Sequence, residues 1–327
     1  MSALRVLFLG GAGMIGSAVA REAVQQGIDL AVVTRGEHRR ALPPEVRGIR
    51  ADVRDAAALD DALGDAEYDV VVNWVGFAPA DVLPDVDRFA GRTGQYVFVS
   101  TCSVFGRPVP QLPITESSPR RHPVFGYARD KLASELALED AHRERGLPLT
   151  IVRPMHTYDE TTMIFPVSWT AIERMRRGEA SVVHGDGTSL WTLTHSSDVA
   201  RALVPLLGND HAIGESVNLV SGDVLTWDQI HTALARAAGV RDPRLAHFSS
   251  ESIGREIPGW AEVLQEDFRH SILFDTTKLR RLVPGYHPQV SFSEGARRIV
   301  AWHEADAARR AFDDDLSAAF DRLIRNG

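Results

Sequence analysis

Cysteine is almost missing from this 327-residue chain: Cys102 stands alone, which excludes an internal disulfide framework and fits a reducing compartment. Long apolar runs are missing too. No stretch approaches the roughly 18 residues that cross a bilayer, so no membrane-spanning helix is expected. Basic charge is in deficit, with 36 Lys and Arg against 44 Asp and Glu and a formal net charge of −8. Proteins that live on phosphate backbones are usually basic, so nucleic acid is not an expected partner. Short basic clusters at 35–40 and 120–122 remain suited to a small phosphate. Metal-ligand spacing is absent as well: His195 has no companions at such intervals, and no metal is expected. The N-terminus imitates a secretory leader, with apolar residues 6–9 followed by Ser17-Ala18-Val19-Ala20. Glycines break that run and Arg5 is the only charge before it, so a cytoplasmic protein acting on a small molecule is expected.

What is present is ordinary in bulk, at 44% hydrophobic and 24% charged residues. The organising stretch is 4–16, LRVLFLGGAGMIG, an apolar run that ends in glycines and opens an alanine-rich helix. Strand, glycine turn and helix together form the setting in which glycines receive a dinucleotide. Glycine tolerates the turn and keeps Cβ atoms away from the pyrophosphate, while the helix N-terminus offers N–H groups and partial positive charge. Strand-like runs at 29–34, 48–50, 69–73, 95–100 and 149–153 then alternate with helical patterns at 55–63, 84–93 and 127–145. That rhythm indicates a parallel sheet with helices on both faces. Beyond it, helices at 167–177, 198–207, 226–238 and 293–310 interleave with strand-like runs at 181–183, 190–194, 216–220 and 271–274. The expected fold is α/β. Residues 1–155 form the cofactor-binding domain and 156–312 a smaller mixed substrate lobe, partly interwoven with it. Residues 313–327 form a charged amphipathic helical tail, suited to a partner or to the surface.

A reactive constellation follows the fifth strand, which runs into Ser100-Thr101-Cys102-Ser103-Val104-Phe105-Gly106. The long helix after it begins Tyr127-Ala128-Arg129-Asp130-Lys131, which sets Tyr127 and Lys131 one turn apart on one face. A phenol is a poor base at neutral pH, and a nearby ammonium favours its phenolate. A hydroxyl such as Thr101, at the carboxyl edge of the sheet, would orient a carbonyl or alcohol against that phenol. The same residues have plainer uses: a surface Tyr–Lys pair, a hydroxyl closing a strand end, a cysteine that only packs, and a core histidine at His195.

Taken together, the glycine turn, Ala51-Asp52-Val53-Arg54-Asp55, Asn73, the 100–106 segment and Tyr127-x-x-x-Lys131 resemble the extended short-chain dehydrogenase/reductase family. Arg153-Pro154, Gly185-Asp186-Gly187 and Thr194-His195-Ser196-Ser197-Asp198 extend the resemblance over essentially the whole chain. It implies a Rossmann-type doubly wound sheet and NAD(P)-dependent hydride transfer. By that resemblance Tyr127 is the general acid/base, Lys131 lowers its pKa and bonds the nicotinamide ribose, and Thr101 is the catalytic hydroxyl. Gly10, Gly13 and Gly16 form the pyrophosphate turn with Met14 and Ile15 beside it. Asp52 bonds the adenine, and Val53, Asn73 and Pro154 join the cofactor site. A homodimer packed through the Tyr127–Lys131 helix is implied by the same analogy.

Several departures bear on cofactor and substrate. An acid that would accept bonds from the ribose hydroxyls is missing at the end of the second strand. Thr34 and Arg35 stand there instead, with His38, Arg39 and Arg40 behind them and Glu37 as the one opposing charge. NADP(H) is therefore favoured over NAD(H). Relatives that dehydrate nucleotide sugars carry Asp-Glu after the catalytic threonine; Cys102 and Ser103 replace them here, which argues against 4,6-dehydration. Where nucleotide-sugar epimerases hold a diphosphate with arginine, this chain has Trp191, and where they carry an Asn after Arg-Pro it has His156. Ser103, His156 and Trp191 are the candidate substrate contacts. Net oxidation or reduction on a sugar-like or secondary-metabolite skeleton, epimerisation with tightly held NAD, and a non-catalytic sensor or RNA-binding role are the alternatives. The retained Tyr127 and Lys131 weigh against the last.

Overall fold

Alternation along the first strand decides the layering. In the computed structural model, which describes residues 3–36, 40–121 and 125–326, β1 (Arg5–Leu9) sends Val6 and Phe8 to one face and Leu7 and Leu9 to the other. All four are fully buried. A strand apolar on both faces belongs inside a parallel sheet covered on both sides. It is joined by β2 (Asp29–Thr34), β3 (Arg47–Arg50), β4 (Val70–Asn73), β5 (Gln95–Val99) and β6 (Leu149–Pro154), with Ser216–Leu219 as a seventh, edge strand. The order is Ser216–Leu219, β6, β5, β4, β1, β2, β3, and every pairing is parallel. From β1 the chain winds outward through β2 and β3, then returns to the other side of β1 as β4. Open α/β sheets hold ligands at the carboxyl edge of such a reversal.

The helices follow in chain order as α1 (Met14–Gln25), α2 (Ala56–Leu63), α3 (Pro79–Phe89), α4 (Gly126–Arg145), α5 (Trp169–Arg176), α6 (Ser196–Leu203) and α7 (Trp227–Ala237). Ala18, Val19 and Ala23 of α1 and Val199 and Leu203 of α6 pack on the face of Val6 and Phe8. Leu59 of α2, Val86 of α3 and Leu138 of α4 cover the opposite face. A third core, rich in aromatic rings, fills the lobe and includes Trp169, Trp191, Trp227 and Phe268.

Some elements differ from the sequence expectation. The helix expected at 84–93 is α3, which starts earlier, with Pro79 in its first turn, where a missing N–H is harmless. Asp81 accepts the Phe77 and Ala78 N–H groups at 2.9 Å, so the start is fixed by a carboxylate and Pro84 falls inside the helix. The strand expected at 271–274 is one isolated bridge between Ile114 and Phe274. The run 216–220 enters the main sheet rather than the lobe, and the helix expected at 293–310 ends at Glu304. The tail helix Asp314–Asn326 buries Phe320 and Leu323 in the lobe core, and Arg174 of α5 donates to Asp321 at 2.7 Å, so its apolar face is already covered.

α4 is pinned to β6 by a buried ion pair. Arg153 donates twice to Glu135, at 2.8 Å each, and both side chains are almost wholly out of water. Arg120 adds a third bond to Glu135 at 2.8 Å and two to Glu139, which commits one member of the 120–122 basic cluster; His122 lies outside the described residues. Burial alone would push the Glu135 carboxyl up, but the guanidinium of Arg153, then its hydrogen bonds and those of Arg120, hold it below the ordinary glutamate value. This carboxylate therefore stabilises the fold above the ordinary glutamate pKa and ceases to as pH falls through its lowered value. Arg153→Met removes both Arg153 bonds to the buried Glu135 carboxylate and leaves the Arg120 guanidinium beside it, and a loss of about 1–3 kcal/mol is expected. Arg153→Met with Glu135→Leu should recover much of that loss, as read by urea denaturation.

Candidate active site

Two cavities of about 410 and 490 Å³ open along the carboxyl edge of the sheet and share Gly11, Gly13, Val75 and Phe77 in their walls. The first is lined by Gly10, Gly13, Thr34, Arg35, Asp52 and Val53, the second by Gly13, Met14, Ile15, Gly16, Thr101, Tyr127, Lys131, Pro154 and His156. Most of the residues singled out from the sequence thus face one continuous groove over the β1–β4 reversal.

The glycine turn has distinct parts. Gly10 and Gly11 hold φ of +79° and +92°, which disfavours any side chain. A Cβ on Gly16 would stand 2.1 Å from the Gly11 carbonyl oxygen, so Gly16 is required for the turn to pack on its own helix. Gly13 differs: a Cβ there meets nothing within 4 Å. Gly13 is the N-cap of α1 and has no side chain to cap it, and it lines the groove with Met14, Ile15 and Gly16 of the first turn. An uncapped helix start above an open glycine fits the pyrophosphate of a dinucleotide.

The second cavity holds the reactive groups. The Tyr127 phenol and the Thr101 hydroxyl line this cavity together. The Tyr127 side chain is 39% exposed overall, and desolvation at the cavity raises its pKa more than the Thr101 hydroxyl lowers it. Thr101 accepts the Ser103 N–H at 3.1 Å, so the hydroxyl that closes the strand end also lines the cavity of the phenol. Lys131 does not bond Tyr127. Its Nζ donates to the carbonyls of Gly76 and Val99, 2.7 Å to each, and lies 4.9 and 4.8 Å from the ring centres of Phe77 and Phe98. Burial pushes its pKa down to about 8, against the raising influence of Glu135 and Asp81. Two carbonyls hold the Lys131 ammonium, and Lys131 is not among the groups that shift the Tyr127 pKa.

Three expected contacts do not reach the groove. Asn73 is fully buried: its amide donates to Asp85 and Tyr96, and its oxygen accepts the N–H groups of Val75 and Gly76 at 2.9 and 2.7 Å. Its bonds shape the turn after β4. Ser103 is buried behind Thr101, their hydroxyl oxygens 3.2 Å apart. Trp191 lies wholly in the lobe core and donates its indole N–H to His156 Nδ1 at 2.8 Å. Cys102 packs, with its thiol against the Arg153 carbonyl and its pKa raised by burial. Among the cations after Thr34, Arg40 is engaged by Asp159 and Thr161, while Glu37, His38 and Arg39 lie outside the described residues. Arg35 remains in the first cavity, joined by Arg54. Trp74, Phe77 and Arg54 are lining residues missed from the sequence; the place of the 74–77 segment just after β4, at the reversal, was the available signal.

A Rossmann-type sheet with this glycine turn and this Tyr–Lys helix defines an NAD(P)-dependent enzyme class. The model of the NAD dependent epimerase/dehydratase family matches residues 6–83 and 83–220, and the chain belongs to that family. A 2'-dehydrokanamycin reductase of Streptomyces kanamyceticus is 29% identical over 288 residues, covering 86% of this chain and 80% of the relative. The chloroplast stem-loop binding protein of 41 kDa b of Arabidopsis thaliana is 23% identical over 336 residues, covering 98% and 84%. Other relatives carry dehydratase, decarboxylase and epimerase names. The UDP-glucuronic acid 4-epimerase of Bacillus cereus, solved with NAD, superposes with a TM-score of 0.72 at 18% identity over 92% of this chain and 99% of that one, a likeness of fold.

The two glycines give a paired prediction. Gly13→Ala should leave the melting temperature unchanged while weakening dinucleotide binding at least about tenfold, since its methyl group clashes only with a ligand. Gly16→Ala should lower both. Thermal melts alongside cofactor fluorescence titration separate the two effects.

Proposed function

We propose that the protein is an NADP(H)-preferring oxidoreductase that reduces a ketone, or oxidises the matching alcohol, on a sugar-like or secondary-metabolite skeleton. The observation that carries this reading is the Tyr127–Thr101 hydroxyl pair in one cavity with buried Lys131, beside the glycine turn. A bound nicotinamide supplies or accepts the hydride. Thr101 and Tyr127 would hold the substrate oxygen between their hydroxyls. A phenol is protonated at neutral pH, and desolvation at the cavity raises the Tyr127 pKa further, so Tyr127 is set to give its proton to the oxygen as the carbonyl carbon is reduced. Lys131, near Gly76 and Val99, is close enough to the groove to turn an ammonium proton toward a ribose hydroxyl. Phe77 and Trp74 narrow the groove and limit water.

Arg35 and Arg54 in the first cavity, with no acid at Thr34, support the preference for a 2'-phosphate. The reductase relative supports net reduction, and Trp191, where a diphosphate-binding arginine would stand, supports a substrate without a nucleotide. Epimerase relatives favour a second reading, transient oxidation with the cofactor regenerated in each cycle. The analogy with such enzymes extends to a homodimer through α4, whose Leu136 is exposed. The stem-loop binding relative keeps an RNA-binding role in view, against which stand the net charge of −8 and the retained pair.

With 2'-dehydrokanamycin as probe, loss of reduced-nicotinamide absorbance is expected with NADPH; product without any absorbance change would indicate epimerisation instead. Tyr127→Phe should lose about 10²-fold or more in turnover while still binding NADPH, and full activity in that variant would overturn the assignment. Arg35→Ala should weaken NADPH several-fold more than NADH. Tighter binding of NADH by the unmodified protein would sink the NADP preference. The reductive kcat/KM should fall on the alkaline side near pH 8, where Lys131 loses its charge.

A further inference from the structure

His156 is the one non-glycine among the described residues with a positive φ, +30°. Such a backbone is costly and persists where surrounding contacts over-determine it. Here the contacts are aromatic. The imidazole lies 6.0, 6.4 and 5.6 Å from the rings of Trp191, Trp227 and Phe268. Its Nδ1 accepts the Trp191 indole N–H at 2.8 Å. An indole nitrogen only donates, so Nδ1 must be the acceptor and the ring proton of the neutral form must sit on Nε2. No described group bonds Nε2, while the residue lines the cavity of Tyr127 and Thr101. Burial drives the imidazole pKa down to about 4, which keeps the ring neutral in the working range.

We propose that His156 is a substrate-positioning hydrogen-bond donor whose tautomer is fixed by Trp191, and that it selects an uncharged oxygen, a hydroxyl or ring carbonyl, over a diphosphate. The inference rests on the reading of this cavity as the substrate site. An Nε2–H backed by tryptophan and phenylalanine rings offers one directed bond and no positive charge. A neutral oxygen is satisfied by that, whereas a diphosphate would leave its charge in apolar surroundings without a counter-ion. Trp191 acts through His156: fully buried, it has no contact with the groove of its own.

The test uses full-length protein with ring-¹⁵N histidine and saturating NADP⁺, the His156 signals being identified by their loss in His156→Asn. The expected spectrum at neutral pH shows an acceptor-type Nδ1 and a protonated Nε2. Kanamycin as probe should shift the Nε2 resonance and UDP should not. Trp191→Phe should release the tautomer, giving a mixture of the two forms. In turnover of 2'-dehydrokanamycin, Trp191→Phe and His156→Leu should raise KM several-fold or more with kcat within about twofold. His156→Asn should rescue KM, because asparagine keeps an N–H donor and tolerates the left-handed backbone. A proton on Nδ1, a UDP-induced shift in place of the kanamycin shift, or no shift with either probe overturns the proposal. Absence of turnover with an intact Nε2 response would instead count against ketone reduction alone.

Discussion

Everything at the reactive end of the molecule depends on how α4 is held against the sheet, and a column of three side chains does the holding. Tyr127, Lys131 and Glu135 follow one another at four-residue intervals, so they share one face of the helix. Lys131 joins α4 to the ends of β4 and β5 through the Gly76 and Val99 carbonyls. Glu135 joins it to β6 through Arg153. The two charges hold the same helix face through separate partners, backbone carbonyls for Lys131 and guanidinium groups for Glu135, so the helix that carries Tyr127 is fixed at two points. The cost falls on Lys131, whose burial makes its charge easy to lose. A group with a depressed pKa at a substrate cleft is where a hydride-transfer site is expected to carry it.

Two kinds of surroundings meet in the groove. The sheet side contributes backbone: an uncapped helix start, bare glycines and a strand-end hydroxyl. The lobe side contributes rings, with His156 at their front and Trp191, Trp227 and Phe268 behind it. Arg40 crosses from the segment after β2 to Asp159 and Thr161 of the lobe, and Thr162 approaches the sulfur of Met14 at 3.7 Å. The two sides are thus tied across the start of α1, close to where a pyrophosphate would lie.

The sheet strands and the glycine turn were legible because their signals are local: an apolar run, a turn with no side chains, a helix start. Tyr127 and Lys131 were legible because a four-residue interval on a helix has one geometric meaning. Asn73 and Ser103 were misplaced because sequence order puts them beside the groove, whereas the depth of a side chain depends on Asp85, Tyr96 and Thr101, which only the folded chain brings near. Trp191 was placed in the right region with the wrong job, since a ring wholly inside the lobe touches ligand only through its neighbour. α3 was begun at the wrong proline because the signal of a proline in the first turn competes with the same residue's reputation as a breaker. The role of residues 216–219 was hidden for a different reason: four residues carry too little pattern to say which sheet they will join.

That edge strand has a consequence for how the chain is made. A nascent chain that has emerged only through α6 presents β6 as an open edge, its residues Leu149–Pro154 all destined for burial. Its outward backbone N–H and C=O groups are an invitation to strand pairing with another molecule. The sheet is therefore closed at this edge only after the first elements of the lobe have been made, since Ser216–Leu219 follows them in the chain. A truncation at the apparent boundary near residue 155 should yield a sticky fragment rather than a small dinucleotide-binding domain.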